Sequence, residues 1–287
     1  MKKLISKITI RSILFFLGIS VLGVVFFVFG YVFWRGKEVV NISFIIDSPS
    51  GMPIGTSGGI YPALMGSIVL GIFSALVGGI FGILTAIYLV FYGRKGILTN
   101  FIKVSAFFLS GIPSIIFGLV GYTLLIYKLG IPRSIICAGL TVSAMIVPFV
   151  AIRVQKIFRE NETRYMQESL CLGIGKEHTI LHMILPSCLV EIISTVALGM
   201  AYGMGAVAPI MYTGAVMISS MPVELNKPFM SLPYHLYMLV SDGTSYEYAY
   251  GTAFVLMVLL LFIQLACRGI GSLRDGAQWR SRKNKVE

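Results

Sequence analysis

The sequence predicts an all-α membrane protein with six transmembrane helices, and three observations carry that prediction. The 287 residues are 56% hydrophobic and only 12% charged, with a mean hydropathy of +0.87, too few charges to clothe a soluble domain. Six stretches are apolar for about the 20 residues of helix that span a hydrocarbon core of ~30 Å. No short alternating strands of the kind a membrane barrel needs are present, and a backbone in lipid must satisfy its hydrogen bonds internally, so the spans are helices.

The first span, about Ile13–Trp34, follows Lys2, Lys3, Lys7 and Arg11. Basic residues before an apolar run resemble a secretory signal. The run continues through Trp34, however, and Phe29-Gly30-Tyr31 offers no small-x-small cleavage site, so a retained anchor is expected. The sequon Asn41-Ile42-Ser43 falls in the following outer loop, a triplet frequent by chance. The second span, Ile60–Tyr92, exceeds the minimum length and is expected to tilt or to begin as an interfacial helix. The third, Phe101–Tyr127, contains Ser110-Gly111-Ile112-Pro113-Ser114. That segment puts two hydroxyls and free backbone at mid-membrane depth, where irregular backbone survives only against protein or water. A pathway lining and a simple kink both fit it. The fourth span, Ser134–Ile152, leads into the longest cytoplasmic stretch. The fifth, Cys188–Met217, is again long, and the sixth is Tyr248–Cys267. Pro62, Pro113, Pro148 and Pro209 are expected to bend or interrupt their spans. Gly78 and Gly82, and again Gly199 and Gly203, are spaced to let helices approach closely.

Orientation follows from the cations. All but five of the 23 Lys and Arg residues lie at one set of span ends: the N-terminus, Arg94, Lys95 and Lys103, the stretch from Arg153 to Lys176, and the C-terminus from Arg268 to Lys285. Arg35, Lys37, Lys128, Arg133 and Lys227 lie on the other side. Both termini are therefore expected in the cytoplasm. The net charge of +11 then reflects topology and contact with anionic headgroups of the lipid bilayer, and a nucleic-acid partner is excluded.

Several chemistries find no support. Cys137, Cys171, Cys188 and Cys267 form no C-x-x-C pair and read as packing residues. His178 and His182 share a helical face, but Thr179, Ile180 and Leu181 between them supply no acid at H-E-x-x-H spacing, so a polar loop face is expected rather than a metal site. His235 stands alone in an outer loop. Neither a P-loop nor a G-x-S-x-G is present, so any energy comes from another polypeptide or an ion gradient. Gradient-driven carriers usually bury ionisable groups. Here Glu191 is the one acid inside a span, and pairing with a loop cation accounts for it.

The cytoplasmic stretch carries the strongest functional signal. Gln167-Glu168-Ser169, Gly173 and Leu185-Pro186 describe a short helix, a turn and a second short helix, with Leu185-Pro186 starting the fifth span. Such an element suits docking on a soluble partner. It resembles the E-A-A-x3-G-x9-I-x-L-P motif in the transmembrane subunits of type I ABC importers. Gly173, Leu185 and Pro186 keep the frame. Gln167 stands at the Glu position, Glu168 and Ser169 at the alanines and Met183 at the Ile. Further segments resemble the PstA-type phosphate permeases: Gly58 to Ala63 with Gly66, Gly111 to Gly118, and Ser231 to Tyr237 with Ala249 and Ala253. Lys176 and Thr179 fit that family's form of the loop. In the fifth span, however, Tyr202, Ala206 and Val207 stand where those permeases have Arg, Glu and Thr, and Glu191 stands where they tend to have Gly.

The resemblance implies a type I importer (MetI-like) permease fold in a bacterial cytoplasmic membrane. Residues 1–57 would form an anchor helix and outer loop. Residues 58–268 would form a permease core with a coupling loop at 153–187, and 269–287 a basic cytoplasmic tail. It implies no cofactor on this chain. ATP and Mg would sit on a cytoplasmic ATPase dimer, with a second, homologous permease subunit and an extracytoplasmic substrate-binding protein as further partners. Coupling would use Gln167, Glu168, Ser169, Gly173, Lys176, Leu185 and Pro186. The translocation pathway would use Ser110, Gly111, Pro113, Ser114, Thr195, Tyr202 and Pro209, although packing or an intrahelical bond is the plainer reading of Ser114, Thr195 and Tyr202. Inorganic phosphate is the expected cargo. Molybdate, tungstate or another small solute is the alternative, with a secondary carrier or channel behind it.

Overall fold

The computed structural model describes residues 2–51, 55, 57–93, 96–219, 223–243 and 245–283. Arg94, Lys95 and Lys285, counted above among the cytoplasmic cations, lie outside the described residues. Helix α1 (Lys2–Gly36) is followed by the short α2 (Ile42–Ile46) and a two-residue antiparallel pair, β1 (Pro49–Ser50) with β2 (Ser57–Gly58). Next come α3 (Tyr61–Ile87), α4 (Ile97–Ser110), α5 (Ser114–Gly121) and α6 (Ile135–Cys171). The remainder is α7 (Lys176–Thr179), α8 (Leu185–Met204), α9 (Ala208–Thr213), α10 (Leu232–Ser241) and α11 (Tyr246–Lys283). Wide π turns extend α3 (Tyr88–Tyr92) and α5 (Tyr122–Lys128), and a third (Ile180–Ile184) joins α7 to α8.

Among the described residues five helices are long and apolar enough to cross a membrane: Ile10–Gly36, Tyr61–Tyr92, Ile135–Thr163, Lys176–Met204 and Tyr246–Gly269. The third predicted span is not a straight helix. It is a pair, Ile97–Ser110 and Ser114–Lys128, bent by 106°. Pro113 cannot donate a ladder bond and holds Ile112 away from helical geometry. The chain therefore closes α4 with a tight turn, Gly111 N–H to Phe108 O at 3.0 Å, and restarts at Ile116 N–H to Pro113 O, also 3.0 Å. The fifth predicted span also differs. It ends as a helix at Met204, breaks over Gly205–Val207 and resumes as α9, with Pro209 in the first turn of α9. Pro62 likewise sits in the first turn of α3, whereas Pro148 lies inside an unbroken α6.

The polar stretch between the fourth and fifth predicted spans departs further from expectation. The helix before Gly173 is not a separate short one but the inner end of α6, which runs 37 residues. Neither Gly nor Pro occurs between Ile152 and Cys171 to stop it. After the turn, α7 passes into α8 without a break, so the fifth span starts at Lys176 rather than at Leu185-Pro186. The π turn makes this possible. The Leu185 N–H bonds to Ile180 O, five residues back, and this wider turn makes room for the Pro186 ring against the preceding carbonyls.

Helix α6 is the hub. In its apolar window 67% of residues are buried, against none in that of α1, which lies at the periphery. One ridge of α6, Val142–Ile146–Val150, is flanked on both sides by glycines. A Cβ on Gly78 or Gly82 of α3 would fall 2.9 Å from Ile146 or 2.7 Å from Val150. One on Gly199 or Gly203 of α8 would fall 3.1 Å from Ile146 or 2.6 Å from Val142. In lipid the packing of helices rests on such close approach and on interhelical hydrogen bonds. Ser143 adds one, its Oγ lying 3.2 Å from Ser74 O of α3 as well as 2.6 Å from Gly139 O. A second apolar cluster, Phe44, Ile60, Ala63, Met230 and Leu232, caps the end of the bundle opposite Gly173. There Ser67 Oγ accepts the Leu232 N–H at 2.8 Å. Asn41 of the sequon caps α2, its Oδ1 accepting the Phe44 N–H at 2.7 Å.

Candidate functional site

The Gly173 elbow is built by a helix stop with a clear physical cause. Gly173 has φ +71°, in the left-handed region that costs an L-residue roughly 1–2 kcal/mol. The turn satisfies the last carbonyls of α6. Leu172 N–H reaches Ser169 O at 3.1 Å, and Ile174 N–H reaches the same oxygen at 2.9 Å, the six-residue bond of a Schellman closure. Nothing lies within 4 Å of a Cβ added at Gly173, so backbone conformation and not space demands glycine there.

One face of the elbow packs onto the bundle. Ser169 is 1% exposed, with Oγ 2.8 Å from Tyr165 O and 3.3 Å from Met183 Sδ. The motif's second small position thus meets the residue at its Ile position across the turn. Ile180 and Ile184 join Val154 and Phe158 in the core, and Thr179 is buried with its Oγ1 on Gly175 O at 3.2 Å. Lys176 Nζ donates to the Phe91 carbonyl and lies 5.2 Å from the Tyr92 ring centroid. This ties the elbow to the inner end of α3. Leu185 and Pro186 are half-buried.

The other face is open. Gln167 and Glu168 are exposed, as are Glu177, His178 and His182, the two imidazoles stacking at 4.2 Å. Between them stand two bare leucines, Leu172 at 76% and Leu181 at 58% exposure. The sequence reading missed these two. The signal available was an apolar residue repeated within a polar loop. Among the described residues no group of three His, Cys, Asp or Glu is placed to hold a metal.

The residues expected along a pathway are not gathered into one site. Ser110, Gly111 and Pro113 are exposed at the α4–α5 bend, and Ser110 Oγ turns back to Phe107 O at 2.7 Å. Ser114 is half-buried at the start of α5. Thr195 is buried and donates to Glu191 O at 2.7 Å, an intrahelical bond. Pro209 is buried in α9. The two proline breaks do meet, because α5 packs on α9: a Cβ on Gly118 would fall 2.8 Å from Ala208 O. Tyr202 is 45% exposed and stacks on Phe149 at 5.3 Å, and the Arg153 guanidinium lies 4.5 Å over the other ring, Phe149. The position where the resembled permeases have Arg therefore ends an aromatic stack whose far end carries Arg153, a link not visible from sequence spacing. Glu191 is exposed and makes no ion pair among the described residues, and Arg94 and Lys95, two of the loop cations that could meet it, lie outside them. Among the described residues the one ion pair is Lys227–Glu224 at 2.8 Å. Arg153 is engaged by Phe149 instead. An apolar hollow of about 300 Å3 beside Pro148 has Thr85 and Ser105 as its polar lining and offers no positive charge.

His235, expected as a lone loop residue, is buried in α10 next to Leu239 and Tyr234. Burial pushes its imidazole down to about 4, so it is neutral near pH 7.

A central helix hub, a broken span and a helical elbow presented at one membrane face define a class of transport subunit. The family of binding-protein-dependent transport system inner membrane components matches residues 78–268, and the chain belongs to that family. It is accordingly a multi-pass membrane protein and a transport component. Among its relatives is the phosphate transport system permease protein PstA of Mycobacterium leprae, 31% identical over 75% of this chain and 71% of that protein. A probable ABC transporter permease protein, YqgI of Bacillus subtilis, is 23% identical over 85% of this chain and 88% of its own. A chain of the inward-facing MetNI methionine ABC transporter superposes with a TM-score of 0.58 at 16% identity, covering 72% of this chain and 92% of that one. The last comparison establishes the MetI-like fold.

Proposed function

We propose that this chain is the transmembrane permease subunit of an ATP-driven importer of inorganic phosphate, with both termini in the cytoplasm. The observation that carries the cargo is the 31% identity to the M. leprae PstA protein across three quarters of the chain. A cytoplasmic ATPase dimer binds ATP and Mg, and this chain hydrolyses none. A second, homologous permease completes the pore, and an extracytoplasmic binding protein delivers the anion. The exposed elbow face with Gln167, Glu168, Leu172 and Leu181 sits in a groove of the ATPase. Gly173, Ser169 and Lys176 fix that face to α6 and α3, and Leu185-Pro186 lies within the continuous helix that carries the motion into α8. Residues 58–268 form the working core, 1–57 the anchor and outer loop, and 269–287 the cytoplasmic tail. Ser110, Gly111, Pro113, Ser114, Thr195, Tyr202 and Pro209 line or shape the route. Sparse charge there suits a path that must release its cargo.

A second reading has an observation of its own. Tyr202 and Ala206 replace the Arg and Glu of the resembled permeases, which favours another oxyanion such as molybdate or tungstate. Competition separates the two: in proteoliposomes holding the chain with its co-purifying subunits and binding protein, excess unlabelled phosphate abolishes labelled phosphate uptake while molybdate does not. Uptake of molybdate with none of phosphate would establish the second reading.

A further inference from the structure

The end of the bundle opposite Gly173 gathers three methionines around one buried histidine. His235 and Met238 are three residues apart and share a face of α10. Met230 precedes that helix and is 2% exposed. Met217 follows a parallel bridge between Ala215 and Phe229, in which the Val216 N–H reaches Phe229 O at 3.0 Å. The bridge holds the segments of Met217 and Met230 side by side. All four residues line one cavity of about 10 Å3, room for a single small occupant. Gly55 adjoins it from the outer loop, where an added Cβ would fall 3.5 Å from His235 Cε1. His235 itself is 7% exposed, and among the described residues its ring meets no hydrogen-bond partner.

We propose that this cavity binds one soft monovalent metal ion of the copper(I) class, held by the His235 imidazole and the thioethers of Met217, Met230 and Met238. Methionine fills irregular gaps in cores, and packing alone would account for the sulfurs. It would not account for a buried imidazole without a partner, since buried polar groups are nearly always paired. A metal ion at a ring nitrogen supplies that partner. Neutral imidazole is the form that ligates, and burial keeps His235 neutral near pH 7. Thioethers are soft donors and select copper(I) over harder ions. Calcium and magnesium take oxygen ligands, and zinc takes thiolate, imidazole and carboxylate. The one carboxylate on the wall belongs to Asp242, an exposed residue. A water in the same space would need several polar partners, and the walls are mostly sulfur and hydrocarbon. An ion held here ties α10 to the Ala215–Phe229 bridge.

The test is a titration of the complex that co-purifies with this chain in mild detergent, using copper(I) delivered from a chromophoric chelator after exposed thiols are blocked with N-ethylmaleimide. The wild-type complex takes up one equivalent of copper(I) more than a variant carrying Met217→Leu with Met238→Leu, an exchange that conserves volume. His235→Gln loses the same equivalent. The metal-free methionine variant keeps the recovery and melting temperature of the wild type, whereas copper(I) raises the melting temperature of the wild type alone. In X-ray absorption, the difference between loaded wild type and loaded methionine variant shows nitrogen and sulfur neighbours of copper. Equal copper(I) uptake by wild type and the methionine variant would overturn the proposal and leave the methionines as packing. Zinc(II) bound as tightly as copper(I), and lost in Asp242→Asn but not in the methionine variant, would overturn it too, by making the cavity a site of harder donors.

Discussion

At the scale of single residues, Gly173 and His235 show how one conformation or one proton controls a larger unit. Gly173 stands in open space at φ +71°, so its requirement is conformational. Asn, which tolerates the left-handed region, is expected to keep most transport. Val, which is β-branched, is expected to lose coupling while still inserting in the membrane. ATP-dependent uptake beside membrane abundance for the two variants checks this, and equal uptake by both would remove the conformational account. His235 titrates differently in the folded and unfolded chains. Its folded value of about 4 lies below the ordinary 6.5, so between these values the unfolded chain binds more protons and stability falls as pH falls. The contribution lost by pH 4 is of order 3 kcal/mol, and it is fully present above pH 6.5. The protection factors of the α10 amides, with the slowing of intrinsic exchange toward acid divided out, are therefore expected to fall from pH 7 to pH 4.5 in the wild type, and much less in His235→Gln. The glycine turn is legible in the sequence, because its spacing to Leu185-Pro186 marks it. The burial of His235 is not, since a loop histidine carries no sign of the helices that fold over it.

At the scale of elements, the arrangement turns on α6 and on two proline breaks. The Val142–Ile146–Val150 ridge receives glycines from α3 and α8, so Gly82→Val is expected to destabilise the bundle by about 1–3 kcal/mol through overpacking. Gly18 of α1 has nothing within 4 Å of an added Cβ, and Gly18→Val is expected to be close to neutral. Thermal stability in detergent distinguishes them, and equal melting temperatures would contradict close packing at the ridge. The spans themselves are legible from apolar length, and the breaks at Pro113 and Pro209 from the missing donor. Their consequences are less so. A proline announces a lost ladder bond but not a 106° bend, and nothing local says that α5 will rest on α9. The continuity of α7 with α8 was hidden for a related reason. Leu185-Pro186 reads as a helix start, and the π turn that carries the helix past it depends on five-residue bonding that leaves no mark in composition.

At the scale of the whole molecule, family membership and fold agree on an importer subunit, and the proposed function assigns the elbow to contact with a motor. Its open face carries Leu172 and Leu181, the apolar side chains that a partner docked there would cover under the proposed function. Leu172→Glu with Leu181→Glu is expected to abolish recovery of an ATPase in pull-downs from mild detergent while leaving the second permease bound. Undiminished ATPase recovery would move the docking surface elsewhere. Charge counting and hydropathy made the membrane class legible, and motif spacing made the glycine elbow legible. The cargo is harder to read because the spans hold few charged side chains from which to read it. The most direct test of the central claim is uptake by proteoliposomes containing this chain with its co-purifying subunits and binding protein. Labelled phosphate is expected to accumulate only with ATP and Mg on the side of the elbow, and to stop when Gly173 is replaced by Val. Accumulation by the chain alone without ATP would contradict the account and make the protein a carrier or channel.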